Sequence, residues 1–235
     1  MNDRGPRYAV YFVPAADSGL YRFGSGVLQY DCYAGGAVPP PREFDADRDM
    51  WRNDTAEPRV YGFHATMKPP FHLAPSCTEA GLVGAFEGFA RGRGTATISP
   101  AVRALGGFIA LVPDPPNAAV DALAADCTTA FDGFRAPMSA DERARRLTSG
   151  LSESQIGNLD RWGYPYVFSE FRFHMTLTGR LADEWRDAAL AVLRAVFARM
   201  CGEDVVVLDR LALMKQEAAG SPFRVLAQAR LQAAG

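Results

Sequence analysis

The stretch GFHATMKPPF, residues 62–71, places a histidine and a threonine two positions apart in a run that alternates apolar and polar side chains. The stretch FRFHMTLTGR, residues 171–180, repeats this arrangement 110 residues later. The chain has only three histidines in 235 residues, so the repetition is unusual. Because alternate side chains of a strand point to opposite faces, the pattern predicts two strands, each with histidine and threonine on its polar face.

The bulk composition narrows the class of protein. Apolar residues make up 48% of the chain, which is enough for a sizeable core. The formal net charge of -2 provides no basic excess for duplex nucleic acid. Four widely spaced cysteines favour free thiols in a reducing compartment. No apolar run is long enough for a membrane span or resembles a signal peptide, so we expect a cytoplasmic protein that binds no membrane.

The order of predicted elements indicates an α+β fold with an internal repeat. In each half, the histidine strand is followed by one helix and two strands. The elements are a helix at 79–90 with strands at 95–104 and up to 112, then a helix at 184–200 with strands at 204–215 and up to 228. We therefore predict a bilobal, pseudo-two-fold duplicated fold, with antiparallel sheets flanked by helices and a central cleft between the lobes.

The chain is predicted to form one bilobal domain over residues 1–235. The first lobe, with the His64 motif, covers about 45–135, and the second lobe, with the His174 motif, covers 168–235. A charged helical insert at 139–167 bridges them. The apolar run at 7–14 reads as a buried strand whose pairing partner the sequence does not give.

The two polar faces suggest chemistry on a phosphodiester. Histidine can act as general acid or base, and a pair on opposite sides of a substrate can divide these roles. Threonine hydroxyls donate to charged oxygens, and lysine or arginine neutralises them. We predict His64 and His174 as catalytic residues. The predicted substrate-binding residues are Thr66, Thr176, Lys68, Arg172, Tyr164 and Tyr166.

Several of these residues have a second interpretation. Lys68 and Arg172 could instead form salt bridges at the rim of the cleft, or Arg172 a solvated position. Tyr164 and Tyr166 either contact the substrate or pack at the junction of the lobes. The arginines in the insert, at 143, 145 and 146, form either a solvated helix face or a basic lid over a phosphorylated ligand. The direction of His72 is not given, because two prolines interrupt the alternation before it.

No metal or cofactor is expected. The three histidines form no H-x-H pattern, and no carboxylate cluster lies near them. The chain also lacks a glycine-rich phosphate loop with its lysine and a G-x-S-x-G motif. The expected partner is a small phosphorylated substrate, with RNA as the less favoured alternative, and the oligomeric state is left open.

Paired His-x-Thr motifs on equivalent strands resemble the two-histidine phosphoesterase superfamily, which includes 2′,3′-cyclic phosphodiesterases. The longer strings YGFHATMKPPF and RWGYPYVFSEFRFHMTLTGRL resemble its uncharacterised branch found among phosphonate-degradation genes. The resemblance implies metal-independent catalysis by His64 and His174, with Thr66 and Thr176 holding non-bridging oxygens. The charged insert departs from the short enzymes of the superfamily, which weakens the case for an RNA substrate.

The predicted activity is therefore hydrolysis of a cyclic phosphate of a small sugar or nucleotide, by a metal-independent phosphoric diester hydrolase. The resemblance implies a role in phosphonate metabolism. One histidine would activate water and the other would protonate the leaving oxygen, and the sequence does not say which does which. The alternatives are an RNA 2′,3′-cyclic phosphate end-processing enzyme and a non-catalytic protein that binds a phosphorylated ligand.

Overall fold

A computed structural model describes residues 5–202 and 205–232. The strands are β1 (Arg7–Phe12), β2 (Ala65–His72), β3 (Ala96–Ile98), β4 (Pro100–Leu105), β5 (Phe108–Pro113), β6 (Met175–Thr176), β7 (Val206–Leu208), β8 (Arg210–Gln216) and β9 (Arg224–Arg230). The helices are α1 (Gly19–Leu28), α2 (Arg48–Asp54), α3 (Ala56–Arg59), α4 (Glu79–Arg91), α5 (Ala118–Ala130), α6 (Ala140–Leu147), α7 (Glu153–Trp162) and α8 (Asp183–Cys201).

The main sheet has seven strands in the order β4-β5-β6-β2-β1-β8-β9, and β3 and β7 form a separate pair. Every pairing between these strands is antiparallel. The predicted α+β fold with an antiparallel sheet flanked by helices is confirmed at this level. The strand predicted at 7–14 lies in the middle of the sheet, between β2 and β8.

The sheet combines strands from both predicted lobes. The β4–β5 hairpin of the first lobe lies beside β6 of the second, and the β8–β9 hairpin of the second lies beside β1. The helices follow the same exchange: α4 packs against β8 and β9, while α8 packs against β4 and β5. The two histidine strands, β2 and β6, are therefore neighbours in one sheet. This differs from the predicted arrangement, in which each histidine strand belongs to a separate lobe with a cleft between them.

Two long predicted strands are each broken in two. The run predicted at 95–104 divides into β3 and β4, and the run predicted at 204–215 divides into β7 and β8; residue 204 lies outside the described residues. The first part of each run leaves the main sheet, and β3 pairs with β7. Continuous β propensity did not reveal these breaks.

The helix-covered face of the sheet holds the larger core. Phe12 of β1, Met175 of β6 and Phe63, just before β2, pack with buried side chains such as Phe86 of α4 and Leu193 of α8. Each such apolar side chain contributes roughly 1.5–3 kcal/mol when fully buried. On the opposite face, Tyr11, Phe223 and their neighbours beside β1 and β8 form a smaller cluster. This uneven cover leaves β2 and β6 accessible on that face.

The insert predicted at 139–167 is helical and contains α6 and α7. Ser139 and Ser152 cap these helices, and Ser152 forms a complete capping box with Gln155. Gly163 ends α7 with a left-handed backbone, at φ 75°, and places Tyr164 directly after the turn. No helix within residues 5–202 and 205–232 has the length and apolar composition that crossing a bilayer requires.

Candidate functional site: a cavity with two histidines

The strand register brings the two His-x-Thr motifs side by side. Ala65 of β2 lies opposite Met175 of β6 in an antiparallel pair. One step from this pair, His64 lies opposite Thr176 and Thr66 lies opposite His174, all on the same face. The two histidines are thus diagonal neighbours, which places their Cβ atoms about 7–8 Å apart or slightly closer. The two rings are close enough for His174 to lower the pKa of His64.

Each histidine is oriented by the carbonyl two residues before it. The Nδ1 atoms of His64 and His174 both lie 2.8 Å from such a carbonyl oxygen, that of Gly62 and that of Arg172. A carbonyl can only accept, so Nδ1 carries the proton and Nε2 is left for chemistry. Gly62 is required at its position because φ is 73° and a Cβ atom there would come within 2.8 Å of Cys32.

His64 is held neutral by its surroundings. Its ring stacks on the buried ring of Tyr11 at a centroid distance of 3.8 Å, and Nε2 lies 3.2 Å from the Thr66 hydroxyl oxygen. Burial lowers the pKa of His64 to about 4, the Gly62 carbonyl opposes this shift, and the nearby His174 lowers the pKa further. His64 is therefore a neutral imidazole at physiological pH and can accept a proton.

The cavity that contains this pair, called the histidine cavity below, has a volume of about 680 Å³. Its lining includes five of the residues predicted from the sequence. They are His64, Thr66, His174, Thr176 and Tyr164. The edge of the Phe108 ring approaches His174 at 6.0 Å between centroids. The structure thus brings together both predicted catalytic residues and three of the six predicted substrate-binding residues.

Lys68 lies on the opposite side of the sheet, contrary to the prediction. The register between β1 and β2 shifts between the pairs Val10–Lys68 and Tyr11–Thr66, which is the irregularity of a β-bulge. Lys68 consequently points to the helix-covered face, where its Nζ donates to the Thr128 carbonyl at 2.9 Å and pairs with Asp132 at 3.1 Å. The prediction assumed an unbroken alternation through position 68.

Arg172 and Tyr166 also lie outside the histidine cavity. The Arg172 guanidinium folds back onto its own chain and donates to the carbonyls of Ser169 and Phe171 at 2.8 and 2.6 Å. Tyr166 is 43% exposed and touches the ring of Tyr164 edge-on. Both residues line a smaller adjoining cavity of about 190 Å³. The strand that was predicted to carry Arg172 begins only at Met175.

Sequence reasoning missed several residues of the histidine cavity, four of which matter for its charge or for the position of His64. These four are Arg7, Tyr11, Glu57 and Arg180. A signal existed for three of them: Arg7 and Tyr11 share parity in the first strand, and Arg180 continues the alternation of His174 and Thr176. The Arg180 side chain lies over Gly107, where a Cβ atom would come within 3.2 Å of it. Arg146, described above as part of a solvated face or a lid, also lines the cavity.

Within residues 5–202 and 205–232, no three histidine, cysteine, aspartate or glutamate side chains come together in a cluster that could hold a metal ion.

The fold and site define an α+β protein with an antiparallel sheet and a paired-histidine cavity on one of its faces. The chain belongs to the family described as protein of unknown function (DUF1045), which matches residues 66–224. It is 34% identical to a protein of Janthinobacterium sp. (strain Marseille) named ribose 1,5-bisphosphate phosphokinase PhnN, over 92% of the chain and 49% of that protein. A protein of the same name from Laribacter hongkongensis (strain HLHK9) is 34% identical, over 93% of the chain and 50% of that protein. The chain spans about half the length of these curated relatives.

The comparisons contradict the predicted activity. The relatives are named as a phosphokinase, so the predictions of a cyclic phosphodiesterase and of a phosphoric diester hydrolase are wrong. The error came from treating two histidines around one phosphate as specific for diester hydrolysis. The same groups suit other reactions at a phosphate, because proton transfer and charge neutralisation are common to them. The broader expectation of an enzyme agrees with the names of the relatives.

Proposed function

We propose that this chain is the ribose-phosphate-binding part of an enzyme of phosphonate metabolism, and that its two histidines assist phosphoryl transfer to the sugar. The observation that carries the proposal is the diagonal placement of His64 and His174 in a cavity with a positive lining. Three arginines and one glutamate line the cavity, so its lining has a positive formal charge. The chain as a whole has a net charge of -2. The substrate class is suggested by the name of the relatives, ribose 1,5-bisphosphate phosphokinase PhnN.

The proposed step is the attack of an oxygen of the ribose phosphate on the terminal phosphorus of a nucleoside-triphosphate donor. A bond forms from the attacking oxygen to that phosphorus, and the bond from phosphorus to the nucleoside-diphosphate oxygen breaks. When the attacking oxygen carries a proton, Nε2 of His64 accepts it, because His64 is neutral at physiological pH. Thr66 and Thr176 donate to phosphate oxygens, and positioning with charge neutralisation supplies most of the remaining catalysis.

Half of the relatives' length lies outside the matched region, and this chain lacks the G-x-x-x-x-G-K-[ST] loop that commonly holds nucleotide phosphates. The proposal therefore assigns the sugar, and not the nucleotide, to the histidine cavity. Sugar binding is therefore expected of the chain alone, whereas nucleotide binding is not.

A finer proposal concerns the origin of the fold. The exchange of the β4–β5 and β8–β9 hairpins, the matching exchange of α4 and α8, and the β3–β7 pair are what a pseudo-two-fold duplication would produce. With the paired His-x-Thr motifs, this supports common ancestry with the two-histidine superfamily without its diester hydrolysis. A crystal structure tests it: β2, α4, β4 and β5 should superpose on β6, α8, β8 and β9 by a rotation near 180°.

Calorimetric titration of the purified chain with ribose 5-phosphate and ribose 1,5-bisphosphate tests the binding part. We expect saturable 1:1 binding by wild type. Each of the single variants His64→Ala, His174→Ala and Thr66→Ala should bind more weakly. Thr129→Ala on the exposed side of α5 is the control and should bind like wild type. Lack of binding of either sugar phosphate by the folded wild-type chain would refute the proposal.

The catalytic part is tested by phosphorus NMR of ribose 1,5-bisphosphate incubated with ATP, magnesium and the chain fused to the half of the Janthinobacterium relative that it does not match. We expect ATP-dependent conversion that His64→Gln lowers by about 100-fold, within the usual range for loss of a general base. Conversion that His64→Gln leaves unchanged, or a sugar that binds yet never reacts, would overturn the proton-transfer role while leaving the binding role intact.

A further inference from the structure

The histidine cavity continues into a second cavity. This second cavity, called the arginine cavity below, has a volume of about 780 Å³. The two cavities share Arg7, Pro70 and Arg146 in their linings, so they adjoin at these three residues. Two of the three shared residues are arginines that come from distant parts of the chain, the first strand and the helical insert. The boundary between the cavities is thus a pair of cations.

The position of the Arg7 side chain is fixed by the buried polar side chain of Gln216. Its Nε donates to Oε1 of Gln216 at 2.6 Å, and Gln216 is 1% exposed and in turn donates to the Ser221 carbonyl at 2.6 Å. The guanidinium carbon lies 5.5 Å from the centre of the Phe223 ring. In the described residues no carboxylate lies within ion-pair distance of Arg7. The anchoring at Nε leaves both terminal nitrogens for another acceptor.

Arg146 is fixed in a comparable way on the other side. One terminal nitrogen donates to Oε1 of Glu142 at 3.1 Å, one helical turn earlier in α6. Its guanidinium carbon lies 5.8 Å from the centre of the Tyr164 ring, which lines the histidine cavity. The contact ties α6 to the cavity and holds the guanidinium at its edge. The remaining N–H groups of Arg146 are available to a ligand.

These contacts distinguish the pair from ordinary surface arginines. Each guanidinium is held by one side-chain hydrogen bond and one aromatic ring, so little side-chain freedom is lost when it binds an anion. Arginine forks match phosphate oxygens in geometry and charge. The arginine cavity contains four arginines and two carboxylates in all, although its Arg135 is already paired with Asp132.

We infer that Arg7 and Arg146 bind a second phosphate of the sugar whose first phosphate lies between the two histidines. The inference rests on the proposed function and extends it, because it makes the ligand a bisphosphate rather than any sugar phosphate. It also assigns a task to the helical insert: α6 brings one of the two arginines to the site. The distinction between one and two phosphates is therefore made at the boundary of the two cavities.

The test is calorimetric titration of ribose 5-phosphate and ribose 1,5-bisphosphate into wild type, Arg7→Gln and Arg146→Gln. Charge-assisted hydrogen bonds contribute about 1.5–3 kcal/mol, so each variant should bind the bisphosphate about 10-fold or more weaker. Affinity for the monophosphate should fall by a smaller factor than affinity for the bisphosphate, since only the bisphosphate places a phosphate between the two arginines. Arg22→Gln, which alters an exposed arginine outside both cavities, is the matched control and should leave both affinities unchanged.

The outcomes separate the two proposals. Failure of wild type to bind either sugar refutes the proposed function. If wild type binds both sugars, and Arg7→Gln and Arg146→Gln keep its preference for the bisphosphate, only the second-phosphate site is refuted. Arg7→Lys checks against local misfolding: it keeps the charge but not the fork, and we expect intermediate affinity with an unchanged unfolding temperature. A parallel titration with AMP and ADP tests whether the second phosphate comes from a nucleotide. If Arg7→Gln and Arg146→Gln lose a preference for ADP over AMP but keep the preference for the bisphosphate over the monophosphate, the sugar assignment is wrong.

Discussion

At the scale of single residues, the environment of His64 matters more than its presence. Tyr11 stacks on the ring, Gly62 accepts from Nδ1, and burial removes most of the water that would stabilise the charged form. The result is a base whose orientation and protonation state are both fixed before a ligand arrives. His174 has the same carbonyl contact but sits against Phe108 rather than beneath a stacked ring.

The lowered pKa of His64 predicts a pH dependence of stability. The pKa is about 4 in the folded chain and 6.5 in the unfolded chain, so between these values the unfolded state binds more protons. Stability therefore falls as the pH drops from about 6.5 to 4, by up to roughly 3 kcal/mol for this group. Urea unfolding at pH 7 and pH 4.5 should show a smaller loss for His64→Gln than for wild type. Equal losses would mean that His64 is not held neutral.

Lys68 supplies a test that separates structure from binding. Burial lowers the pKa of this lysine, while the neighbouring Asp132 opposes the shift. We expect Lys68→Met to lower the free energy of unfolding by about 2 kcal/mol, since Asp132 loses a buried partner but keeps Arg135. Sugar-phosphate affinity should not change, because Lys68 lies on the far face of the sheet.

The chain has one other lysine, which makes a matched control. Lys215 pairs with Glu79 and Glu217 near the surface, so Lys215→Met should cost less than about 1 kcal/mol in urea unfolding. A loss of sugar affinity in Lys68→Met at unchanged stability would restore the original interpretation of Lys68 as a substrate-binding residue.

At the scale of elements, α1 closely approaches the segment just before β2, which carries His64. Gly24 faces Phe63, the residue before His64, and a Cβ atom at position 24 would overlap the Phe63 ring. A glycine in the middle of a helix is otherwise unfavourable, so its presence is explained by this contact. Phe63 is fully buried among the core residues between α1 and the sheet.

We expect Gly24→Ala to lower stability by about 1–3 kcal/mol, the usual cost of overpacking, despite the better helix propensity of alanine. Displacement of Phe63 should also weaken sugar binding through His64. Gly84→Ala in α4 is the control: a Cβ atom there has open space around it, and the substitution should raise stability by up to about 1 kcal/mol. Thermal unfolding of both variants checks the pair, and a Gly24→Ala protein as stable as Gly84→Ala would contradict the packing argument.

The same elements show how far sequence reasoning reaches. Strand periodicity was enough to place His64 with Thr66, and His174 with Thr176, on one face, because alternation depends only on local geometry. The bulge that turns Lys68 away depends on pairing with β1, and the early position of Arg172 depends on where β6 begins. Alternation also gives the face on which Arg7 and Arg180 lie, but long-range packing, which the local pattern does not encode, brings both residues to the same cavity.

At the scale of the whole molecule, the charge distribution predicts how binding responds to salt. The net charge is -2, yet arginines outnumber carboxylates around the histidine cavity. We expect the dissociation constant of ribose 1,5-bisphosphate to rise several-fold between about 0.05 and 0.5 M NaCl, since screening shortens the Debye length over this range. Titration of the same sugar in the Arg7→Gln variant should show a weaker dependence. A salt-independent affinity would argue against electrostatic binding.

The place of β6 in the sheet has a consequence for biosynthesis. This strand of two residues lies between β5 and β2 in the sheet. The other edge of β1 pairs with β8, which is synthesised later. A nascent chain that has emerged only as far as residue 170 thus presents β1, β2, β4 and β5 as two unconnected ribbons with open edges. The paired-histidine site cannot assemble until the last quarter of the chain has left the ribosome. We expect ribosome-arrested chains that end before β8 to depend on chaperones, and chains that extend past β9 to become protease-resistant.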